Sequence, residues 1–218
     1  MIRRRSRPAD VRRSNQQQGQ QSQDRFTDRH VTAEPYTPVD EHTFDHRGVA
    51  DMAERDREIG RRTHALVAGF CRAHVVPEPT QVWVAAGRLF QAEPMVLNHS
   101  SRQRAACGVS TYFVRFHRTA WKFVGAEVSL GNGRVDLVWQ LPSDRFVIDE
   151  LKTSANGEAL EDRVTLEQIE RYRRAGQQQW GGAFAGVRLL PLVSPGRARF
   201  HPADAVPVSL QDAPEEVR

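Results

Sequence analysis

Two short apolar runs in the middle of the chain have the composition of β-strands. Residues 135–141 and 145–151 are rich in β-branched and aromatic side chains, which favour strands. Pro142, Ser143 and Asp144 lie between them, and these residue types are typical of a tight turn. The pattern therefore predicts a β-hairpin.

Helical periodicity flanks this hairpin on both sides. Apolar residues recur at near-helical spacing between Val49 and His74, which predicts a first helix. Residues 158–175 contain mainly helix-forming residues and no Gly or Pro, so they predict a second helix that Gly176 ends. Gly60 is unusual inside the first helix, because glycine costs about 1 kcal/mol there relative to alanine. It indicates that another element, or a nucleic acid strand, comes close.

The remaining apolar pattern completes an α/β arrangement. Further strands are predicted at 121–130 and 186–193. The pattern is ambiguous over 77–119, where 81–90 fits either a short helix or a strand and 111–117 is apolar enough for either. The resulting α-β-β-β-α-β order predicts a mixed central sheet flanked by helices.

The two ends of the chain differ in composition from the middle. Residues 1–30 hold eight arginines and three aspartates, a net charge of +5, and the whole chain carries +4, so the remainder carries about −1. Residues 1–47 are predicted to be a disordered basic and glutamine-rich tail, which serves either as a non-specific DNA tether or as a solubilising arm. Residues 202–218 are predicted to be a C-terminal tail, which leaves 48–201 as one folded domain.

Composition also limits the compartment and the cofactors. No apolar run approaches the roughly 18 residues of a membrane span, and no apolar stretch follows the basic N-terminus as in a secretory signal. We therefore expect a cytoplasmic protein without a membrane partner. Cys71 and Cys107 are the two cysteines. They are expected to be reduced thiols and are too few for a four-cysteine iron–sulfur cluster.

The predicted hairpin carries acids inside its apolar strands. Asp136 lies in the first strand, and Glu150 and Lys152 lie in the second. Glu150 and Lys152 share a face because alternate residues of a strand point the same way. An acid inside an apolar strand is costly unless it is paired, protonated or bound to a metal. Side by side, Asp136 and Glu150 would suit a hard cation such as Mg²⁺ or Mn²⁺.

Lysine is rare in this chain, which makes its position informative. Of the 31 Lys and Arg residues, only Lys122 and Lys152 are lysine. Lysine is a compact charge whose pKa is readily tuned, whereas arginine stays protonated. Lys152 therefore fits a residue that orients or deprotonates a water molecule, or that neutralises charge in a transition state. For Glu-x-Lys in isolation, an exposed ion pair is the competing interpretation.

Three residues on the predicted helices extend this set. His64 lies on the first helix, and Gln168 and Tyr172 lie four residues apart on one face of the second. Each alone also fits an ordinary packing or surface residue. In chain order, the combined pattern resembles the RecB-like branch of the PD-(D/E)XK nuclease superfamily: Gly-x-x-x-His at 60–64, Gly-x-x-Asp-Leu-Val at 133–138, Val-Ile-Asp-Glu-Leu-Lys-Thr at 147–153 and Gln-x-x-x-Tyr at 168–172.

The resemblance implies a restriction-endonuclease-like core and a metal site within it. It makes His64, Asp136 and Glu150 metal ligands, with the backbone carbonyl of Leu151 as a further ligand. It makes Lys152 the catalytic lysine, acting with Asp136 and Glu150. The cofactor implied is Mg²⁺ or Mn²⁺, without an iron–sulfur cluster.

The resemblance also assigns roles around this centre. Gln168 and Tyr172 position DNA and the scissile phosphate. Glu127 resembles an acid found on the strand before the hairpin in relatives. Asp149 lies beside the predicted metal ligand Glu150 and is the alternative candidate for that role. Val135 precedes the first acid where the superfamily's name has proline.

We therefore expect a divalent-metal-dependent DNA nuclease, of the RecB-like exonuclease type, with DNA as its partner. Two alternatives remain open. One is a DNA-binding or assembly protein that keeps the fold and does not cut. The other is a nuclease subunit that is active only with a helicase or a recombination or replication partner. Endonuclease action, strand polarity, RNA as substrate and the biological pathway are not decided by these motifs.

Overall fold

The computed structural model describes residues 46–154 and 160–218, with side chains described from residue 51 onward. The predicted N-terminal tail, residues 1–47, lies outside this part of the chain except for its last two residues, which begin the first helix. No helix in these ranges combines the length and the apolar character that crossing a membrane requires.

A six-stranded sheet forms the centre of the described structure. Its strands are β1 (Lys122–Leu130), β2 (Gly133–Gln140), β3 (Phe146–Lys152), β4 (Phe184–Pro191), β5 (Arg199–Pro202) and β6 (Val208–Ser209). They lie side by side in this order. β3 and β4 are parallel, and every other neighbouring pair is antiparallel. The sheet is therefore mixed.

Helices cover both faces of this sheet. The α-helices are α1 (His46–Arg72), α2 (Pro79–Phe90), α3 (Met95–Thr111) and α4 (Arg163–Trp180). The first three pack on the face that carries Val147 and Leu151. α4 packs on the face that carries Val138 and Ile148, and it forms the crossover that parallel β3 and β4 require. The predicted mixed α/β fold, a mixed sheet flanked by helices, is confirmed.

The predicted hairpin is formed by β2 and β3. Leu137 of β2 pairs with Asp149 of β3. The turn is closed by a 2.8 Å hydrogen bond from the backbone N–H of Leu141 to the carbonyl of Arg145. This register brings the predicted acids of the two strands to the same end of the hairpin.

The region of ambiguous pattern, 77–119, is mostly helical. Val82, Ala86 and Phe90 are buried at four-residue intervals in α2, which is the spacing of one helix face. Tyr112–Phe116 forms a short π-helix that continues α3. The apolar pattern does not predict α3, because its buried side consists mostly of alanine, serine and glycine.

α4 begins and ends later than the predicted helix, 158–175, whose first two residues lie outside the described ranges. Asp162 caps the observed start, where its side chain accepts a backbone N–H at 2.6 Å. Gly176 does not end the helix. It lies against the ring of Phe184, with which a Cβ would collide. The helix ends at Gly181, whose φ of 54° favours glycine.

Residues 202–218 are part of the fold, so the prediction of a C-terminal tail is wrong. β6 pairs with β5, and Val217 is only 1% exposed. Arg188 of β4 is fully buried and donates to the carbonyl oxygens of Phe116 at 3.1 Å and Val217 at 3.4 Å. A buried guanidinium group needs acceptors, and this segment supplies one.

Candidate functional site

An open cleft of about 700 Å³ lies between α1 and the carboxyl end of β3. The predicted metal ligands, the predicted catalytic lysine and the acid of β1 all line it. Within the described ranges, the structure therefore brings together most of the predicted set: His64, Glu127, Asp136, Glu150, Leu151 and Lys152.

α1 comes close to the end of β3 because Gly60 has no side chain. A Cβ built on Gly60 would lie 2.6 Å from Oγ1 of Thr153, so a larger residue would force the two elements apart. His64, one helical turn further along, contacts Asp136, with 3.1 Å between Nδ1 and Oδ1. The close approach predicted at Gly60 is made by the protein's own chain.

The carboxylate of Asp136 is fixed by a second contact. Its Oδ2 accepts the backbone N–H of Leu151 at 2.7 Å, which ties β2 to the end of β3. Asp136 and Glu150 are neighbours on adjoining strands, because the adjacent pair Leu137 and Asp149 are in register. The two carboxylates are therefore presented to the cleft by paired backbone.

The alternation of side chains along β2 is interrupted at Asp136. Val135 and Val138 both pack beneath α4, although residues three apart point to opposite faces of a regular strand. Across the ladder, Glu127 has a φ of 55°, which residues other than glycine seldom adopt. Departures of this kind redirect side chains near active sites. Glu127 itself forms a 2.7 Å ion pair with Arg134.

A continuous chain of hydrogen bonds orients Lys152. Its Nζ donates to Glu150 Oε1 and to Gln168 Oε1, each at 2.9 Å. Gln168 Nε2 donates to Tyr172 Oη at 2.8 Å, and that hydroxyl donates to the carbonyl of Arg134 at 2.7 Å. Gln168 and Tyr172 are thus positioning residues for Lys152. Their contact with DNA stays a prediction.

A second motif glycine makes room for this chain of hydrogen bonds. A Cβ built on Gly133 would lie 2.9 Å from Cε1 of Tyr172. The ring therefore occupies the space above Gly133, where its hydroxyl reaches the carbonyl of Arg134. Both motif glycines act by permitting close packing around the cleft.

Burial and neighbouring charge shift the titration of two cleft residues. Burial, and then the charge of Asp136, raise the pKa of Glu150 to about 7 against the opposing effect of Lys152. Burial acts to lower the pKa of His64, but the hydrogen bond and charge of Asp136 outweigh it, so this pKa lies above its usual value. Perturbed groups that share a cleft are typical of functional sites.

Two buried atoms in the cleft have no hydrogen-bond partner in the described part of the chain: His64 Nε2 and Glu150 Oε2. Buried polar atoms are nearly always satisfied, so both atoms are available to a ligand that enters the cleft. No three His, Cys, Asp or Glu residues within 51–154 and 160–218 already stand in a metal-binding arrangement. His64 contacts Asp136, and Glu150 contacts Lys152.

The donor set of the cleft nevertheless fits a divalent cation. Carboxylate oxygens are the preferred ligands of Mg²⁺ and Mn²⁺, and imidazole is a common ligand of other divalent metals. The unsatisfied atoms of His64 and Glu150 are nitrogen and oxygen donors of these types. The contact between Glu150 and Lys152 occupies Oε1 of the carboxylate and leaves Oε2 for a cation.

Asp149 does not belong to this site. Its fully buried carboxylate accepts two hydrogen bonds of 2.6 Å from Arg188 and one of 2.9 Å from the hydroxyl of Tyr112. These partners lie on the face covered by α1 to α3. Of the two adjacent acids, Glu150 is therefore the one that lines the cleft, as strand alternation predicts.

Several cleft residues fall outside the predicted set. Arg57 and Arg61 of α1 line it, together with Thr153 and Ser154 after β3. Arg57 and Arg61 precede His64 by seven and three residues, which places them on its face of the helix. That spacing is the signal by which they could be predicted.

Comparisons of this chain with protein-family models, with curated proteins and with solved structures each find no match. The chemistry of the cleft is therefore inferred from its own residues.

Proposed function

We propose that this protein is a divalent-metal-dependent DNA nuclease with a restriction-endonuclease-like core, of the RecB-like branch of the PD-(D/E)XK superfamily. The observation that carries the proposal is the meeting of His64, Asp136, Glu150 and Lys152 in one cleft. These residues come from three separate elements, α1, β2 and β3. The hydrogen-bonded link from Lys152 through Gln168 adds the last motif to the same site.

His64, Asp136 and Glu150, with the carbonyl of Leu151, are the groups that would hold the cation. Bound Mg²⁺ or Mn²⁺ would polarise the scissile phosphate and lower the pKa of a water molecule. Asp136 keeps its orientation through the N–H of Leu151. Glu150 offers Oε2, the oxygen that has no internal partner among the described residues.

Lys152 is the group proposed to act on the attacking water or on the phosphate. An ammonium group has three N–H donors, and Glu150 and Gln168 take two of them. The third is left for a water molecule or a phosphate oxygen. Because two fixed acceptors hold Nζ, little reorientation is needed when charge develops in the transition state.

Arginines on the cleft suit a polyanionic substrate. Arg57 and Arg61 of α1 and Arg134 of β2 line it, and each pairs with a glutamate at 2.5 to 2.7 Å. The arginine side chains of these pairs are 68–70% exposed, so the pairs are weak. Replacing the glutamate partner of such an arginine by a DNA phosphate therefore costs little free energy, and guanidinium groups bind phosphate well.

The test is incubation of the purified full chain with linear and circular DNA, with Mg²⁺ or Mn²⁺ and with EDTA. We expect metal-dependent cleavage that EDTA abolishes. Asp136→Asn should lose it, because this change weakens the ligand set. Asp56→Asn is the matched control: Asp56 lines the same cleft but pairs with Arg104 at 2.5 Å, and its loss should leave cleavage intact.

The outcome also separates the alternatives. Metal-independent DNA binding without cleavage, unchanged by Asp136→Asn, would contradict the nuclease proposal and support a non-cleaving DNA-binding protein. Cleavage of linear but not circular DNA would indicate that the enzyme needs a strand end. Activity that appears only when a helicase-type partner is added would identify a nuclease subunit.

A further inference from the structure

A second hollow, of about 370 Å³, lies away from the catalytic cleft and shares no lining residue with it. Its walls come from the residues around the end of the π-helix, from the turn after β4 and from the C-terminal segment. The lining residues are Arg115, Phe116, Arg118, Pro195, Gly196, Ala198, Leu210, Gln211 and Arg218. Its volume falls within the range of about 300–1,000 Å³ that small-molecule sites occupy.

The polar wall of this hollow is positively charged. Arg115, Arg118 and Arg218 line it, and no Asp or Glu of the described ranges does. None of the three forms an ion pair with a described carboxylate, whereas elsewhere arginines such as Arg163 and Arg174 pair with nearby glutamates. The terminal carboxylate of Arg218 offsets the charge of its own side chain, which leaves the guanidinium groups of Arg115 and Arg118 without a counter-charge in the lining. Two such groups favour a phosphate over a single carboxylate.

Arg118 is held in position before any ligand binds. Its Nη1 donates to the carbonyl oxygens of Arg115 at 3.2 Å and His117 at 3.0 Å. Its Nε and Nη2 donors make no hydrogen bond within the described structure, so that edge of the guanidinium group is left for a ligand. Guanidinium groups bind phosphate through two parallel hydrogen bonds.

The remaining wall of the hollow is apolar. Phe116, Ala198 and Leu210 belong to the buried core, and Pro195 also lines this wall. A ligand that fits both walls therefore has a multiply charged anionic group joined to a part with an apolar face. A nucleotide has this construction, since a phosphate monoester carries a charge of about −1.5 to −2 near pH 7.

We propose that this hollow binds the phosphate monoester and base of a nucleotide, either as a free nucleoside 5′-monophosphate or as the 5′-phosphorylated end of a DNA strand. Arg115 and Arg118 hold the phosphate, and the base lies against Pro195 and Leu210. This site does not depend on the catalytic cleft. Binding is measured without cleavage, so the two proposals can fail separately.

The experiment is calorimetric titration of the full chain at low salt with adenosine 5′-monophosphate, adenosine and inorganic phosphate. EDTA is present, so cleavage plays no part. We expect the nucleotide to bind at least tenfold more tightly than either fragment, because only the nucleotide meets both walls. Arg115→Gln should weaken nucleotide binding about tenfold or more, which corresponds to the loss of one charged hydrogen bond. The side chain of Arg115 is exposed and makes no hydrogen bond among the described residues, so this change spares the fold.

Two controls make the result decisive. Arg163→Gln removes an arginine that is 91% exposed and paired with Glu167, and it should leave nucleotide affinity unchanged. A short 5′-phosphorylated oligonucleotide separates the two sources of the ligand: tighter binding than the mononucleotide supports a strand end, and equal or weaker binding supports the free nucleotide. No nucleotide binding, or equal affinity in wild type and Arg115→Gln, would overturn the proposal.

Discussion

Gly60 and Thr153 lie so close together that a Cβ on Gly60 would be 2.6 Å from the Thr153 hydroxyl oxygen. The contact joins α1 to the end of β3, and it sets the position of His64 one turn further along. The glycine of the Gly-x-x-x-His motif is therefore required by the close packing of α1 against the end of β3.

Gly60→Ala should lower nuclease activity because α1 must move away from β3 and carry His64 with it. We expect a loss of about 1–3 kcal/mol in the free energy of unfolding from the overpacking. Gly69→Ala, in the same helix, is the matched control, because a Cβ there meets nothing within 4 Å. It should stabilise the protein by up to about 1 kcal/mol and leave activity unchanged. Chemical denaturation and DNA cleavage measure both.

The companion change Thr153→Ala identifies the cause. It removes the colliding oxygen and leaves the Cβ of residue 153 at an ordinary 3.8 Å. The double variant Gly60→Ala/Thr153→Ala should regain most of the lost stability and activity. Additive losses in the double-mutant cycle would show that the Gly60–Thr153 contact does not position His64.

Tyr172→Phe should reduce cleavage by releasing Gln168, and through it Lys152. The missing hydroxyl removes two hydrogen bonds, to the Arg134 carbonyl and from Gln168, at a cost of about 1–2 kcal/mol in stability. The turnover rate at saturating DNA should fall while DNA affinity changes little. If affinity falls and the turnover rate does not, Tyr172 contacts DNA instead of positioning Lys152.

Tyr112→Phe is the control for this variant. Tyr112 is fully buried and donates to Asp149 at 2.9 Å on the other face of the sheet. Loss of the Tyr112 hydroxyl should lower the free energy of unfolding by a comparable amount without changing the turnover rate per folded molecule.

The adjacent acids of β3 should have opposite effects. Asp149→Asn leaves Arg188 buried without a full counter-charge, so the free energy of unfolding should fall by about 3 kcal/mol or more, with cleavage per folded molecule retained. Glu150→Gln should abolish cleavage and change stability by less than about 1 kcal/mol, because Lys152 is partly exposed and the glutamine oxygen can still accept its hydrogen bond. Thermal unfolding and cleavage rates separate the two. If Asp149→Asn abolished cleavage and Glu150→Gln did not, the carboxylate required for cleavage would be that of Asp149.

The motifs predict which residues meet in the cleft better than the periodicity predicts the fold around it. Glu150 and Lys152 lie on the expected face because strand alternation is a local rule. α3 is not predicted, because small residues bury it without an apolar stripe. The C-terminal segment is not predicted because its position depends on a hydrogen bond to Arg188, and the burial of Arg188 is known only from the folded structure. The sequence pattern wrongly predicts that Gly176 ends the helix. The residue that requires a glycine there is Phe184 of β4, which is distant from the helix pattern in sequence.

Stability should depend on pH through His201. This side chain is buried in β5, and burial, followed by the charges of Arg173 and Arg199, lowers its pKa to about 4. The unfolded chain binds the proton near pH 6.5, so His201 favours folding fully above that pH. The contribution is lost as pH falls toward 4, at no more than about 1.4 kcal/mol per pH unit. Denaturation at pH 6.5 and 4.5 should show a shallower loss in His201→Gln than in wild type. Equal losses of unfolding free energy in wild type and His201→Gln would contradict this role of His201.

The most direct test of the account compares the chain's two lysines. Lys152→Met and Lys122→Met each remove one ammonium group, the first from the cleft and the second from the exposed start of β1. With both variants shown to be folded, Mg²⁺-dependent cleavage of linear DNA should fall at least about 100-fold in Lys152→Met and remain at the wild-type rate in Lys122→Met. Wild-type cleavage by folded Lys152→Met would contradict the assignment of this cleft as a nuclease site.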